Sequence, residues 1–165
     1  MEGVSKEFSW RLLMLSYRFA NLDDADLYYE WANDAEVRKN SFNCEKIKYE
    51  DHLDWFTDKL ANKKNLFILF LLSDLPAGQV RIELLENVGK INFSLSKEFR
   101  GQGLSWKILK MACDIFFDST ALNVIVGEVK FDNAPSQKAF LKAGFQESKN
   151  KQCFVYTKIK KDNKN

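Results

Sequence analysis

The spacing of apolar residues changes period several times along this chain, and each change marks an expected element. Arg11 to Phe19 is apolar and aromatic without a breaker and predicts a first strand. Asn21 suits a helix cap, with Asp23 and Asp24 in the first turn, and Leu22, Ala25, Leu27, Tyr28 and Trp31 recur at helical intervals until Asn33-Asp34 stops them. Ala35 to Lys46 fits neither period and reads as a loop with room for one short turn. Tyr49 to Leu60 returns to helical spacing, with His52 and Phe56 on one face and Trp55 nearby. Leu66 to Leu72 is a continuous apolar run, a buried strand. A turn at Asp74–Gly78, a strand Gln79–Leu85, a turn Glu86–Gly89 and a strand Lys90–Ser96 complete an antiparallel meander. Leu104 to Phe117 is helical and Asn123 to Val129 is a buried strand. Asn133 to Ala143 is helical, with Pro135 in its first turn and Gly144 as its stop. Phe145–Glu147 and Cys153–Ile159 are strand pieces around a turn at Ser148–Lys151. Strand runs and isolated crossovers together predict an α/β (α+β) domain with a mixed sheet over residues 11–160, a loose lead-in over 1–10 and a polar tail over 161–165.

Composition narrows the class without naming a function. A length of 165 residues suits one core, and 45% hydrophobic with 29% charged residues describes a globular chain. A net charge of +2 gives no electrostatic footprint for nucleic acid. No apolar run reaches membrane-spanning length, and the first residues lack a signal-peptide pattern. Three widely spaced cysteines form neither a disulfide framework nor a zinc pattern, so the expectation is reduced thiols in the cytoplasm. A single histidine excludes a histidine-rich metal site, and no metal is expected.

Chemistry concentrates in Phe99-Arg100-Gly101-Gln102-Gly103-Leu104-Ser105-Trp106, between a strand and a helix. Glycines let backbone approach a ligand, and unpaired amides at a helix start favour an anion. The same stretch also reads as a plain tight turn. A second stretch, Asn133-Ala134-Pro135-Ser136-Gln137-Lys138-Ala139-Phe140-Leu141-Lys142-Ala143-Gly144-Phe145, follows after one buried strand. The pair, in this order, resembles the GNAT superfamily of N-acetyltransferases: the first looks like its Arg/Gln-x-x-Gly-x-Gly/Ala signature, the second like its Asn-x-x-Ser…Phe/Tyr-x-x-x-Gly-Phe signature. The element order matches as well. Ser105 departs from the usual Gly or Ala but is still small.

The resemblance implies a mostly antiparallel sheet of six to seven strands, splayed at its centre and flanked by about four helices. It implies acetyl-CoA as cofactor. Arg100, Gly101, Gln102, Gly103, Leu104 and Ser105 would seat the pyrophosphate, chiefly through the amides of Gln102 to Ser105. Backbone of Phe93, Ser94, Leu95 and Ser96 would hold the pantetheine arm as an added strand. Asn133 would bond the arm, with Ser136 and Phe140 beside it, although Asn133 also reads as a helix cap and Phe140 as core. The Leu95 amide would serve the developing oxyanion. Glu128 is the candidate base or amine anchor, with Glu83 as a second candidate base. Where many members carry a tyrosine acid this chain has Phe140, which leaves Tyr156, Ser136 or water as the proton donor.

The acceptor is expected at Trp31, Asn33, Arg38, Asn40, Phe42, His52 and Trp55. The pattern Trp-x-Asn-Asp-x-x-Val-Arg, then His-Leu-x-Trp-Phe, is similar to GNAT enzymes that acetylate a 4-amino nucleotide sugar on the way to pseudaminic-type acids and surface polysaccharides. Arg38 would pair with the diphosphate, Phe42, His52 and Trp55 would stack, and Asn33 and Asn40 would read hydroxyls. Rival readings are a protein N-terminus or ribosomal protein as acceptor, and a non-catalytic acyl-CoA-binding module. The expected state is monomer or homodimer, with no nucleic-acid or membrane partner.

Overall fold

The apolar run that opens the meander forms the second of the seven strands found among the described residues. These are β1 (Leu15–Phe19), β2 (Asn65–Leu72), β3 (Leu75–Leu84), β4 (Gly89–Leu95), β5 (Val124–Val129), β6 (Gln146–Lys149) and β7 (Phe154–Ile159). The helices are α1 (Ala25–Ala32), α2 (Ala35–Asn40), α3 (Tyr49–Ala61), α4 (Ser105–Ser119) and α5 (Ala134–Lys142). The structure, a computed structural model, describes residues 14–161. The expected lead-in, the strand start at 11–13 and the tail from 162 lie outside the described residues.

The sheet order is β1-β2-β3-β4-β5-β7-β6. Every neighbouring pair is antiparallel except β4 and β5, which run parallel. That parallel pair holds register only at Gly89↔Ile125 and Lys90↔Val126. Beyond Lys90 the two strands part. The ring of Phe140, from α5, lies where they diverge: it meets Phe93 edge-on at 5.7 Å, and a Cβ on Gly127 would fall 2.6 Å from it. A glycine on β5 therefore lets an aromatic ring wedge against the strand.

One face of the sheet carries α4 and α5. Ile108, Leu109, Ala112, Cys113 and Phe116 of α4 are fully buried against Val80, Ile82, Ile91 and Ile125. Each large side chain so buried contributes about 1.5–3 kcal/mol. The other face carries α1 and α3, whose Ala25, Tyr28 and Phe56 pack on Phe67 and Leu69 of β2. At the entrance to α1, Arg18 grips Asp24 through two bonds of 2.7 Å, which holds that carboxyl below its ordinary range despite burial.

Three expected boundaries move. The segment from Ala35 begins as a six-residue helix, because Asp34 accepts from the amides of Glu36 and Val37 and so starts α2 as well as ending α1. The turn before β3 is only Ser73-Asp74, both at positive φ, and the strand starts at Leu75. A register shift between Phe70 and Leu71 absorbs Pro76, which cannot donate to a ladder. The last hairpin turns later, at Asn150–Cys153, where the Asn150 side chain accepts from the amides of Gln152 and Cys153. Among the described residues no helix is long and apolar enough to cross a membrane.

Candidate active site

The divergence of β4 and β5 opens a cavity of about 740 Å³, within the range of small-molecule sites. It runs through the sheet, so it has two unlike sides.

The first side is made of backbone. Gly101 and Gly103 sit at φ +74° and +73°, and a Cβ on either would meet nothing within 4 Å. Backbone conformation, not packing, calls for glycine there. Leu104 precedes α4 with no side-chain cap. Among the described residues the N–H groups of Gln102 to Trp106 find no backbone or side-chain acceptor. The start of a 15-residue helix thus presents free donors at the positive end of its dipole. Gly101 and Ser105 line the cavity. Arg100 braces the loop from behind: its guanidinium meets Asp34 at 2.7 Å, Glu36 at 3.3 Å and the Leu95 carbonyl at 3.2 Å. Burial pushes the Asp34 carboxyl up, but the Arg100 bond and the amides of Val37 and Glu36 outweigh it and hold it low. Gln102 donates to the Glu98 carbonyl at 2.8 Å, so its side chain also builds the loop. Leu104 is buried in the core.

Across the gap, Phe93, Ser94, Leu95, Asn133, Ser136 and Phe140 line the same cavity. Asn133 is buried and caps α5 by accepting from the Ser136 amide at 3.3 Å. Phe140 is both core and wall, stacked on Tyr156 at 5.0 Å. Ser96, expected to hold the arm, does not line the cavity; its amide donates to Ala77 and its hydroxyl to Glu98 at 2.6 Å. Tyr156, a candidate acid, is also displaced. Its fully buried ring lies behind Phe140 and its hydroxyl donates to Glu147 at 2.6 Å, away from the cavity, with burial and that carboxylate raising its pKa.

The second side is made of side chains. Trp31, Arg38, Asn40, Phe42, His52, Trp55 and Glu128 line it. Glu128 is half-exposed on β5 with Lys90 at 2.7 Å. Arg38 organises the loop after α2, donating to the carbonyls of Asn43 and Glu45 and to the Ser41 hydroxyl at 3.0–3.2 Å. His52 is buried, its Nε2 at 3.2 Å from the Ala25 carbonyl and its ring stacked on Phe56; burial lowers its pKa, so it is neutral at pH 7. Asn33 does not reach the cavity, because its amide is paired both ways with the Ile47 backbone at 2.8 and 3.1 Å. Glu83 is likewise outside, bound to Lys59 at 2.8 Å, a bond that lowers its pKa.

The cavity residues that were not expected include Tyr28, Gln79, Arg81 and Asn92. The last three lie on the central strands, Gln79 opposite Ser94 and Arg81 opposite Asn92. A sheet covered on both faces should be apolar in its middle. The alternation Gln79-Val80-Arg81-Ile82-Glu83 breaks that rule and is the signal that marks this face as lining a cavity.

Residues 14–146 match the acetyltransferase (GNAT) domain family. No curated protein matches the chain. Among solved structures, the aminoglycoside acetyltransferase AAC(6')-Ib in complex with ribostamycin and coenzyme A superposes with a TM-score of 0.78 at 17% identity, over 88% of this chain and 93% of that one. RimL, a ribosomal L7/L12 alpha-N-protein acetyltransferase in complex with coenzyme A, gives 0.76 at 15%, over 88% and 94%. Spermidine N-acetyltransferase from Vibrio cholerae, in complex with CoA and spermine, gives 0.75 at 15%, over 87% and 92%.

Proposed function

Because the chain belongs to the GNAT acetyltransferase family, we propose that it transfers an acetyl group from acetyl-CoA to a primary amine, the 4-amino group of a nucleotide-linked amino sugar, by direct attack in a ternary complex. One observation carries the donor half: the free amides at the start of α4 open into the same cavity as the parted end of β4. The residues fit acetyl-CoA. The open space above Gly101 and Gly103 admits a pyrophosphate, the Gln102–Ser105 amides supply its donors, and the unpaired edge of β4 at Phe93–Leu95 accepts an extended arm. Asn133 and Ser136 stand beside that arm, and Phe93 and Phe140 keep water from it. Bound there, the thioester supplies an activated acyl carbon.

The rest belongs to this chain's own groups. The Leu95 amide stands at the open end of β4 as the oxyanion donor. The Glu128 carboxylate, once it releases Lys90, takes a proton from the acceptor amine or anchors its ammonium form. Of the side chains weighed as acid, Ser136 is on the cavity, and a thiolate is a good enough leaving group to depart with little assistance.

The aromatic faces of Trp31, Phe42 and Trp55 beside Asn40 and Asn92 support the sugar reading. So does the likeness to a structure holding an aminoglycoside. The likeness to RimL supports a protein N-terminus as the second reading. Acetyl-CoA consumption measured with a UDP-linked 4-amino sugar, N-terminal peptides and spermidine separates them. The sugar should be the preferred acceptor by kcat/KM. Turnover of peptides alone would replace it, and binding of CoA without any acetylated amine would leave a non-catalytic module.

A further inference from the structure

Three arginines line the cavity: Arg38, Arg81 and Arg100. Two are already bonded. Arg100 has two carboxylates and a carbonyl, and Arg38 has two carbonyls and a hydroxyl, with its buried Nε left unbonded. Among the described residues Arg81 has neither a hydrogen bond nor an ion pair. Its guanidinium lies over two aromatic rings, the Cζ 4.9 Å from the centroid of Trp55 and 5.9 Å from that of Phe67. A cation–π contact of this kind holds a guanidinium in place and leaves its N–H groups free. Among the described residues the acidic residues lining the cavity do not pair with it: Glu36 is bound to Arg100, Glu128 to Lys90, and Asp51 makes no ion pair.

Two further groups around Arg81 lack partners. The Tyr28 hydroxyl is buried and unbonded, on a ring that also packs against Phe67 at 6.0 Å. The Gln79 carbonyl oxygen is buried and unbonded, two residues along the same strand and on the same face. Buried polar groups are nearly always satisfied, so a cluster of unsatisfied ones in a cavity marks a place for a ligand. Here the cluster offers a forked cation and a hydroxyl donor beside one acceptor.

We infer that Arg81, with Tyr28 and Gln79, forms an oxyanion subsite on the acceptor side of the cavity, and that the acceptor amine carries a carboxylate or phosphate. Arg81 binds the oxyanion through its free edge, Tyr28 donates to it, and Gln79 accepts from a neighbouring hydroxyl or N–H of the same molecule. The assignment replaces Arg38 as the anion-binding residue. It rests on the acetyltransferase reading only in calling the ligand an acceptor.

The test uses the full chain saturated with CoA, so that the glycine loop is occupied. Calorimetric titration with inorganic phosphate and with acetate should show saturable binding of at least one of them, and the stronger of the two identifies the group. Arg81→Gln should weaken that binding at least about tenfold while CoA affinity stays within about twofold; Arg81→Lys, which keeps charge without the fork, should fall between. Tyr28→Phe should weaken it about threefold, since it removes one donor and keeps the ring. Equal anion affinity in the wild type and Arg81→Gln would overturn the subsite, as would the absence of binding by either anion. If Arg81→Gln loses CoA affinity too, Tyr28→Phe decides, and an unchanged affinity there overturns the subsite. Failure of the amino-sugar reading would appear instead as anion binding without turnover of any sugar.

Discussion

The two sides of the cavity are built by opposite means. On the glycine-loop side the donors are main-chain amides, and the side chains of Arg100 and Gln102 turn back to brace the loop. On the facing side the groups are side chains of central strands and of α1 and α3, several of them buried and unbonded. A backbone cradle recognises what its ligands share and tolerates little change. A side-chain lining can be altered residue by residue over the same sheet. On the reading proposed above, the first side takes the donor and the second the acceptor.

If that division is right, the largest effect comes from the cradle. Gly103→Val places a β-branched residue at φ +73° and fills the open space above the loop. CoA affinity should fall by at least about 10³-fold, the loss of two charge-assisted hydrogen bonds, with the melting transition still cooperative. Calorimetry and thermal unfolding together check this.

Next is Glu128→Gln on the facing side. It should lower kcat about 10²-fold and leave CoA affinity unchanged, as read by steady-state kinetics and calorimetry. A loss confined to KM would make Glu128 an amine anchor instead.

The smallest effect lies in the brace between the sides. The Asp34 carboxyl titrates below its ordinary 3.8 in the folded chain. Its contribution to stability is therefore complete above about pH 4 and is lost as pH falls through the lower folded value. Denaturant unfolding from pH 5 to 2.5 should show this loss in the wild type, and Asp34→Asn should flatten it. That variant should also lower stability at pH 7 by up to about 1 kcal/mol, since it keeps the cap of α2 but removes the charge paired with Arg100.

The contrast also explains what was legible in the sequence. Gly101, Gly103 and Gly144 take positive φ and Asn133 caps α5, local demands that few residue types meet, so their spacing marked the loop before α4 and both ends of α5. The antiparallel meander followed from the apolar runs, because a sheet covered on both faces needs them. The acceptor side depends on which polar groups satisfy one another in three dimensions. Arg38 and Asn33 looked like ligand readers, yet neighbouring carbonyls and the Ile47 backbone engage them. Tyr156 looked available, yet β7 turns it behind Phe140. In the sequence Arg81 reads only as one residue of the strand Gln79–Leu85. Its freedom appears only once Arg38 and Arg100 are seen to be engaged. The short helix α2 was hidden for a similar reason, since Asp34 both ends one helix and caps the next.

The central claim is that the parting of β4 and β5 joins a backbone donor site to a side-chain acceptor site. A structure of the CoA complex tests it most directly. The account predicts pyrophosphate oxygens on the amides of Gln102 to Ser105, and the sulfur in the gap beyond Lys90, between Leu95 and Val129. A sulfur outside that gap, or a pyrophosphate away from the start of α4, would contradict it.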